Sequence, residues 1–243
     1  MTLVRGTDAR CYVNQFDIST DLMALDPAPE SQVQDVTTFG TNVTGRSYVV
    51  TLQTARVTAD GFYSSDTLNG IDARMAPLKG GHVMLGVWPA GDAVGKRGYA
   101  DDDALFTTWK VVAAVGQVVG VHAEWECSGG AELVTSLAAR TSTAGAATVT
   151  GASADHGAAS TNGGAAYFRL FGGTSSGTAV TAFRVEHSAD NSTWATLASS
   201  ALATTGTQRV AIAAGTTIER YTRAVVVVAA GKTAIHQVAL QRA

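Results

Sequence analysis

The sequence is poor in the residues that staple, break or solvate a fold: in 243 positions it has two cysteines, four prolines and only 15% charged residues. Cys11 and Cys127 lie far apart with no CxxC spacing, so neither a disulfide framework nor a cysteine-ligated zinc site is supported. Both are expected to be reduced and at least partly buried. No stretch approaches the roughly 20 apolar residues of a membrane-spanning helix. The N-terminal run Met1-Thr-Leu-Val-Arg-Gly-Thr-Asp8 lacks the apolar centre of a signal peptide. The expectation is folding in a cytoplasm with no membrane partner, and the triplets Asn42-Val43-Thr44 and Asn191-Ser192-Thr193 become chance matches to a glycosylation pattern.

What is present is apolar and β-forming. Hydrophobic residues make up 46% of the chain, and the low charge argues against disorder. The formal net charge of -3 conceals an asymmetry: residues 1–130 hold 15 Asp/Glu against 9 Lys/Arg, and residues 131–243 hold 5 against 8. Neither half has the dense basic stripe that neutralises phosphates, which disfavours tight nucleic-acid binding.

The chain reads as mainly β, in two domains, 1–135 and 136–243, with the boundary placed in the Ala/Thr/Ser/Gly tract between Ser128 and Gly164. That tract has the composition of a linker with one weak edge strand near 146–153. In the first domain, β-rich runs fall at 9–18, 32–39, 47–60, 82–88 and 106–126, the last split near Gly116. One short flanking helix is expected where Leu68, Ile71 and Met75 recur at helical spacing, capped by Ser65 or Asp66 and stopped by Pro77 and Gly80-Gly81. The expectation is a β-sandwich or barrel. In the second domain Phe168 and Leu170 alternate with Tyr167 and Arg169, and Phe183 and Val185 with Arg184 and Glu186, as in half-buried strands. Runs at 194–198, 208–213, 218–228 and 233–241, with turns at Ala189-Asp190-Asn191, Gly206 and Gly231-Lys232, extend this into an antiparallel β-sandwich.

Catalytic patterns lack their contexts. Gly173-Thr-Ser175-Ser-Gly177 matches the nucleophile-elbow spacing but is followed by a strand where a helix is required. Gly91-Asp-Ala-Val-Gly95-Lys96-Arg97 is one residue short of a phosphate-binding loop and has Arg where Ser or Thr must bind magnesium. Asp101-Asp102-Asp103 lacks the spacing of a calcium loop and reads as a solvated acidic loop. The histidines at 82, 122, 156, 187 and 236 form no metal-binding spacing. Glu124 and Glu126 share one strand face around Trp125, the pattern of a solvent-facing edge more than of a glycosidase pair. Trp88, Trp109, Trp125 and Trp194 are dispersed, which favours core packing over a sugar platform. No catalytic, cofactor-binding or metal residue is assigned, no cofactor is expected, and the chain reads as a non-enzyme. Phe39, Tyr48, Phe62 and Tyr63 lie near strand ends and turns and are the candidate subunit-contact residues.

Three segments carry a family resemblance: Tyr12-Val-Asn-Gln-Phe-Asp-Ile-Ser-Thr-Asp-Leu22, Asp35-Val-Thr-Thr-Phe-Gly40 and Asp60-Gly-Phe-Tyr63. Together they resemble the N-terminal pattern of the major tail (tail-tube) proteins of long-tailed, non-contractile phages, with Gln15 and Phe16 in place of the usual Gly-Tyr pair. Asn162–Phe168, Val185–Trp194 and Glu219–Arg223 look like a β-sandwich module often appended to such proteins. The resemblance implies a structural virion protein: copies of itself in stacked, usually hexameric rings, joined to other tail proteins, around a lumen that conducts genome DNA without specific binding. Assembly would take place in the host bacterial cytoplasm. Another virion role (tail terminator, distal tail or capsid decoration) shares the architecture. A carbohydrate-binding adhesion module would need exposed aromatics, for which Tyr167, Trp194 and Tyr221 are the candidates.

Overall fold

A computed structural model describes residues 6–35, 48–64, 66, 70–128 and 130–243. The chain is mainly antiparallel β. In order it forms β1 (Arg10–Val13), β2 (Phe16–Asp17), β3 (Leu22–Asp35), β4 (Tyr48–Phe62), α1 (Ile71–Met75), β5 (His82–Trp88), β6 (Arg97–Val112) and β7 (Gly120–Ser128). There follow β8 (Glu132–Ala144), β9 (Ala147–Thr150), β10 (Ala154–Asp155), β11 (Gly164–Leu170), β12 (Val180–Ser188), β13 (Ala195–Ser200), β14 (Gly206–Ile212), β15 (Tyr221–Val228) and β16 (Thr233–Arg242).

Two compact units result, and they are not successive in sequence. One comprises Met1–Thr20, Met84–Asp102 and Glu132–Ala243, the other Asp21–Val83 and Asp103–Ala131. The expected boundary near residue 136 falls inside β8. The tract read as a linker is therefore folded: β8 pairs with β6 on one side and β16 on the other, and Val134, Ser136 and Leu137 are buried. Small and β-branched side chains suit a strand held between two neighbours, and composition alone does not separate that role from a linker.

In the first unit, one sheet runs β14-β11-β16-β8-β6-β5-β1-β2 and a second runs β10-β15-β12-β13, with β9 on β15. The sheets pack face to face over Phe168, Leu170, Phe183, Val185, Val226, Val238 and Leu240, with the Phe168 and Phe183 rings edge-on at 4.9 Å. The expected alternation in β11 is present, but both of its faces are buried. Ala166, Phe168 and Leu170 enter this core, while Ala165 and Tyr167 join Tyr12, Trp88 and Phe171 in another. Trp88 lies against Gly86 and Gly98: a Cβ on Gly98 would stand 2.6 Å from the indole Cδ1 and from the carbonyl oxygen of Val87. Glycine at 98 is thus a requirement of close approach.

The N-terminal segment is a hairpin, not one strand. Asn14, at φ 49°, makes the tight turn between β1 and β2, and the side chain of Asn tolerates that left-handed conformation. Its Oδ1 accepts the Met84 amide at 2.8 Å, and the Gln15 carbonyl accepts the Gly172 amide at 3.0 Å.

In the second unit, β3, β4, β7 and the end of β6 form a sheet. β3 begins at Leu22, ten residues before the expected run, and Pro27 and Pro29 lie within it. The helix is Ile71–Met75, followed by a 3-10 turn at Ala76–Leu78 that contains Pro77. Its N-cap is Gly70, which makes no side-chain cap bond, and the carbonyl of Asp66, one expected cap, accepts the Gly70 amide at 2.9 Å; Ser65, the other, and Leu68 lie outside the described residues. β6 starts at Arg97, nine residues earlier than expected, and takes Asp101-Asp102-Asp103 into a strand.

Two outcomes follow from this packing. Because β8 spans residue 136 and Tyr12 packs with Tyr167 and Phe171, pieces 1–135 and 136–243 expressed separately are expected to lack a cooperative thermal transition by circular dichroism. Two independently cooperative pieces would contradict the division described. Gly98→Ala is expected to destabilise by about 1–3 kcal/mol through overpacking against Trp88, read from the midpoint of urea unfolding.

Candidate assembly surface

The sheet of the second unit has two unlike faces because its pairing is in register. Val57 stands opposite Trp125, and Trp125 opposite Phe106. Ala55, Val57 and Ala59 of β4 are buried with Val121, Ala123, Trp125 and Cys127 of β7. The Phe106 and Trp125 rings stack at 5.0 Å. Ile71 and Met75 of α1 are buried as well, and Trp109 Nε1 donates to Asp72 at 2.7 Å, tying helix to strand.

Thr54, Arg56, Thr58 and Asp60 of β4 and His122, Glu124 and Glu126 of β7 turn the other way and are polar. His122 stands between two carboxylates, with Nδ1 2.7 Å from Asp60 and Nε2 2.9 Å from Glu124. Glu124 also meets Arg56 at 2.6 Å and accepts the Thr108 hydroxyl at 3.1 Å, while Glu126 lies 3.7 Å from Arg56. Glu124 and Glu126 thus belong to a cross-strand ion-pair ladder. Hydrogen bonding to Glu124, then to Asp60, raises the His122 pKa, and the same bond to His122 lowers that of Glu124.

The third feature is at one end of this sheet. Phe62 and Val112 both stand opposite Gly120, which has no side chain to cover either. Met23 sits in the register shift where Leu22 and Ala24 pair with Gly61 and Asp60. Val111, Val115 and Val118 belong to the β6–β7 hairpin, whose residues 111–121 carry no charge. Met23 is 59% exposed, Val118 72% and Val115 entirely so. Among the described residues these six are all but one of the exposed large hydrophobics, the other being Leu133. Exposed apolar residues scattered singly are ordinary, whereas several gathered at one end of a sheet make a candidate interaction surface.

Of the candidate contact residues, Phe62 belongs to this end, 47% exposed, and Tyr63 beside it is half-buried, its amide donating to Val119 at 3.0 Å. Phe39 lies outside the described residues, as does the side chain of Tyr48, whose backbone begins β4. The valines of the hairpin were missed because a charge-free valine run reads as buried strand. Its available signal was the position of that run around the turn glycine, Gly116.

Ser175 lies in the loop between β11 and β12 and closes a backbone pair with Thr233, its Oγ accepting the Thr233 amide at 2.8 Å. Asp92, in the glycine-flanked loop, is buried and accepts the Tyr12 hydroxyl. Asp101 is buried in β6, Asp102 faces Arg209 at 3.6 Å and Asp103 faces His82 at 2.8 Å, so the acidic-loop reading is replaced by a strand with partners on each exposed acid. Among the described residues no group of three or more His, Cys, Asp or Glu converges on a metal site. Trp88 and Trp125 are core residues, whereas Trp109 and Trp194 are half-buried. As for a sugar platform, Tyr167 is buried, the Arg223 guanidinium covers Trp194 at 3.9 Å, and Arg220 covers Tyr221 at 4.9 Å.

No protein-family model and no curated protein matches the chain. Among solved structures it is similar to a chain of the virion of a native gene transfer agent particle, with 15% identity and a TM-score of 0.42, over 54% of this chain and 98% of that one. It is also similar to the SPP1 Dit protein, titled a paradigm of the hub adsorption apparatus in phages infecting Gram-positive bacteria. There the identity is 11% and the TM-score 0.32, over 96% of this chain and 98% of that one. Neither likeness assigns a role.

The ladder makes a pH prediction. The folded pKa of His122 is raised above the unfolded value of about 6.5, so its contribution is complete below that value and is lost as pH rises through the folded pKa. Glu124 behaves oppositely, contributing above its unfolded pKa and losing that contribution as pH falls through its lowered folded one. His122→Gln is therefore expected to lower the melting temperature more at pH 6 than at pH 9. An equal loss at both would mean that the imidazolium charge is not involved.

Proposed function

We propose that this chain is a structural subunit of a phage tail, and within the tail a tube subunit that forms stacked rings around a DNA-conducting lumen. The observation that carries the reading is the apolar end formed by Met23, Phe62, Val111, Val112, Val115 and Val118. Left in water, such an end costs free energy in proportion to its area, and a neighbouring subunit removes that cost. The reading is also supported by the resemblance of Tyr12–Leu22, Asp35–Gly40 and Asp60–Tyr63 to tail-tube sequences. Two of these segments bracket the surface: Leu22 and Phe62 are the ends of β3 and β4 beside it.

The polar face of the same sheet suits passage of DNA. By register, Asp26, Glu30, Asp60, Glu124 and Glu126 share it with Arg56, Lys110 and His122. A surplus of carboxylates repels phosphates and leaves no stripe to grip them.

The test is assembly of the purified full-length chain, followed by sedimentation velocity and negative-stain imaging. Rings or tubes are expected. The double variant Val115→Asp, Val118→Asp places charge at exposed positions, so its circular dichroism should match the wild type while assembly falls by at least tenfold, the effect of about 1.4 kcal/mol. A chain that stays monomeric at high concentration, or a double variant that assembles normally, would overturn the reading. Single rings that never stack would favour a distal-tail or terminator position over the tube.

A further inference from the structure

The first unit holds a cavity of about 400 Å³, lined by Arg97, Leu133, Thr135, His156, Leu240 and Arg242 together with Gly95, Ala154 and Asp155. Its base is set by pairing: Arg97 stands opposite Thr135 across β6 and β8, and Thr135 opposite Leu240 across β8 and β16. The volume is that of a small-molecule site.

The charges around it do not cancel. Asp155 is already consumed, since Arg220 takes its two oxygens at 2.8 and 2.7 Å and the Gly157 amide donates to Oδ1 at 2.8 Å. Among the described residues Arg242 donates only to backbone carbonyls, of Ala158 at 2.7 Å and Ile218 at 3.3 Å, and its buried Nε has no hydrogen-bond partner there. Arg97, at the exposed start of β6, makes no ion pair among the described residues. Burial, and next the charge of Arg242, push the His156 pKa down to about 4, so the imidazole is neutral at pH 7 and its Nε2 lies 2.7 Å from Thr222 Oγ1. Two guanidinium groups thus share a cavity in which the single carboxylate belongs to a third.

The apolar part of the lining is equally specific. Among the described residues Leu133 is the one exposed large hydrophobic that does not belong to the apolar sheet end, and it lines this cavity with Leu240 and Ala154. A ligand that satisfies the whole lining carries an oxyanion for the guanidinium forks, hydroxyl groups for Thr135, and a carbon face for Leu133.

We propose that this cavity binds an anionic sugar, a saccharide bearing a phosphate or a carboxylate, between Arg97 and Arg242. The shared chemistry is an oxyanion on a polyhydroxylated ring. The site lies within the first unit and is independent of the assembly surface, so it stands or falls apart from the tube reading.

Isothermal titration calorimetry of the full-length chain at low ionic strength, with glucose 6-phosphate, glucuronate, inorganic phosphate and glucose, tests it. Binding of glucose 6-phosphate or glucuronate, at least tenfold tighter than glucose and inorganic phosphate, is expected, and the stronger of the two identifies the anion. Arg97→Ala, at an exposed position where folding is not at stake, should weaken binding about tenfold, as loss of a charge-assisted contact does. Leu133→Asp should weaken it further by setting a carboxylate beside the ligand. As a second readout, a bound anion should raise the His156 pKa from its depressed value in a proton NMR titration. Equal affinity for glucose would overturn the anion assignment, equal affinity for inorganic phosphate would overturn the sugar, and an unchanged affinity in Arg97→Ala would overturn the site.

Discussion

The buried carboxylate of Asp92 holds the first unit together. One oxygen, Oδ2, accepts both the Tyr12 hydroxyl at 2.7 Å and the Arg140 amide at 2.6 Å, while the Asp92 carbonyl accepts the Ser136 hydroxyl at 2.6 Å. Three stretches distant in sequence, β1, the loop before β6, and β8, therefore meet at one residue. Removing that acceptor would leave the buried Tyr12 hydroxyl without it, at about 1–3 kcal/mol for a buried group. Burial and the adjacent Asp92 carboxylate both drive the Tyr12 pKa upward, so the phenol remains a proton donor. Around this node Tyr12 packs edge-on to Phe171 at 4.9 Å, and the Arg169 guanidinium lies 5.4 Å from the Tyr12 ring centre. Arg169 is buried, and that burial lowers its pKa to about 10, still leaving it cationic at neutral pH. The aromatic faces and the Met84 carbonyl, 3.2 Å from Nη2, offset part of its desolvation.

The second unit solves a different problem, that of a sheet whose outer strand is a liability. Among the described residues β3 pairs with β4 alone, and a free edge of 14 residues invites uncontrolled pairing. Pro27 and Pro29 answer it. They lie two apart and so share one hydrogen-bonding side, and neither has an amide proton to offer an incoming strand. The exposed apolar residues lie instead at the end of the sheet, where Gly120 leaves Phe62 and Val112 uncovered.

Much of this was legible in the sequence where the signal is local. β5 was expected at 82–88 and is His82–Trp88; the split near Gly116, the turn at Asp190-Asn191 and the strands from β11 to β16 follow from alternation and turn residues. What failed depends on distant partners. Tyr167 and Arg169 read as a solvent face because their cover comes from Tyr12 and Phe171. The start of β3 was hidden by its two prolines, which are strand breakers except at an edge. Asp101-Asp102-Asp103 read as a loop because their partners, Arg209 among them, are remote in sequence. The compact units are interleaved, and no composition boundary can reveal a unit assembled from three separate stretches. At the apolar sheet end the exposure of Phe62 was legible from its place at a strand end, whereas that of Val115 and Val118 was not, because hydrophobicity says nothing of which valines a fold leaves uncovered.

The charge asymmetry of the two halves acquires a meaning once partners are known. In residues 131–243 most of the cations are spent internally: Arg140 on Asp17, Arg184 and Arg223 on Glu186, Arg209 on Glu132 and Arg220 on Asp155. Asp190 is likewise spent on its own turn, where the Ser192 and Thr193 amides donate to it. The basic excess therefore reduces to Arg169, enclosed among aromatic rings, Lys232, bound to the Ser176 carbonyl at 2.9 Å, and Arg242. Of these three, Arg242 lines the cavity of the first unit together with Arg97, a cation that makes no ion pair among the described residues. Net charge thus hides what matters for recognition, because a nearly balanced chain can still present two uncancelled guanidinium groups at one point while a sheet face elsewhere keeps its surplus of carboxylates.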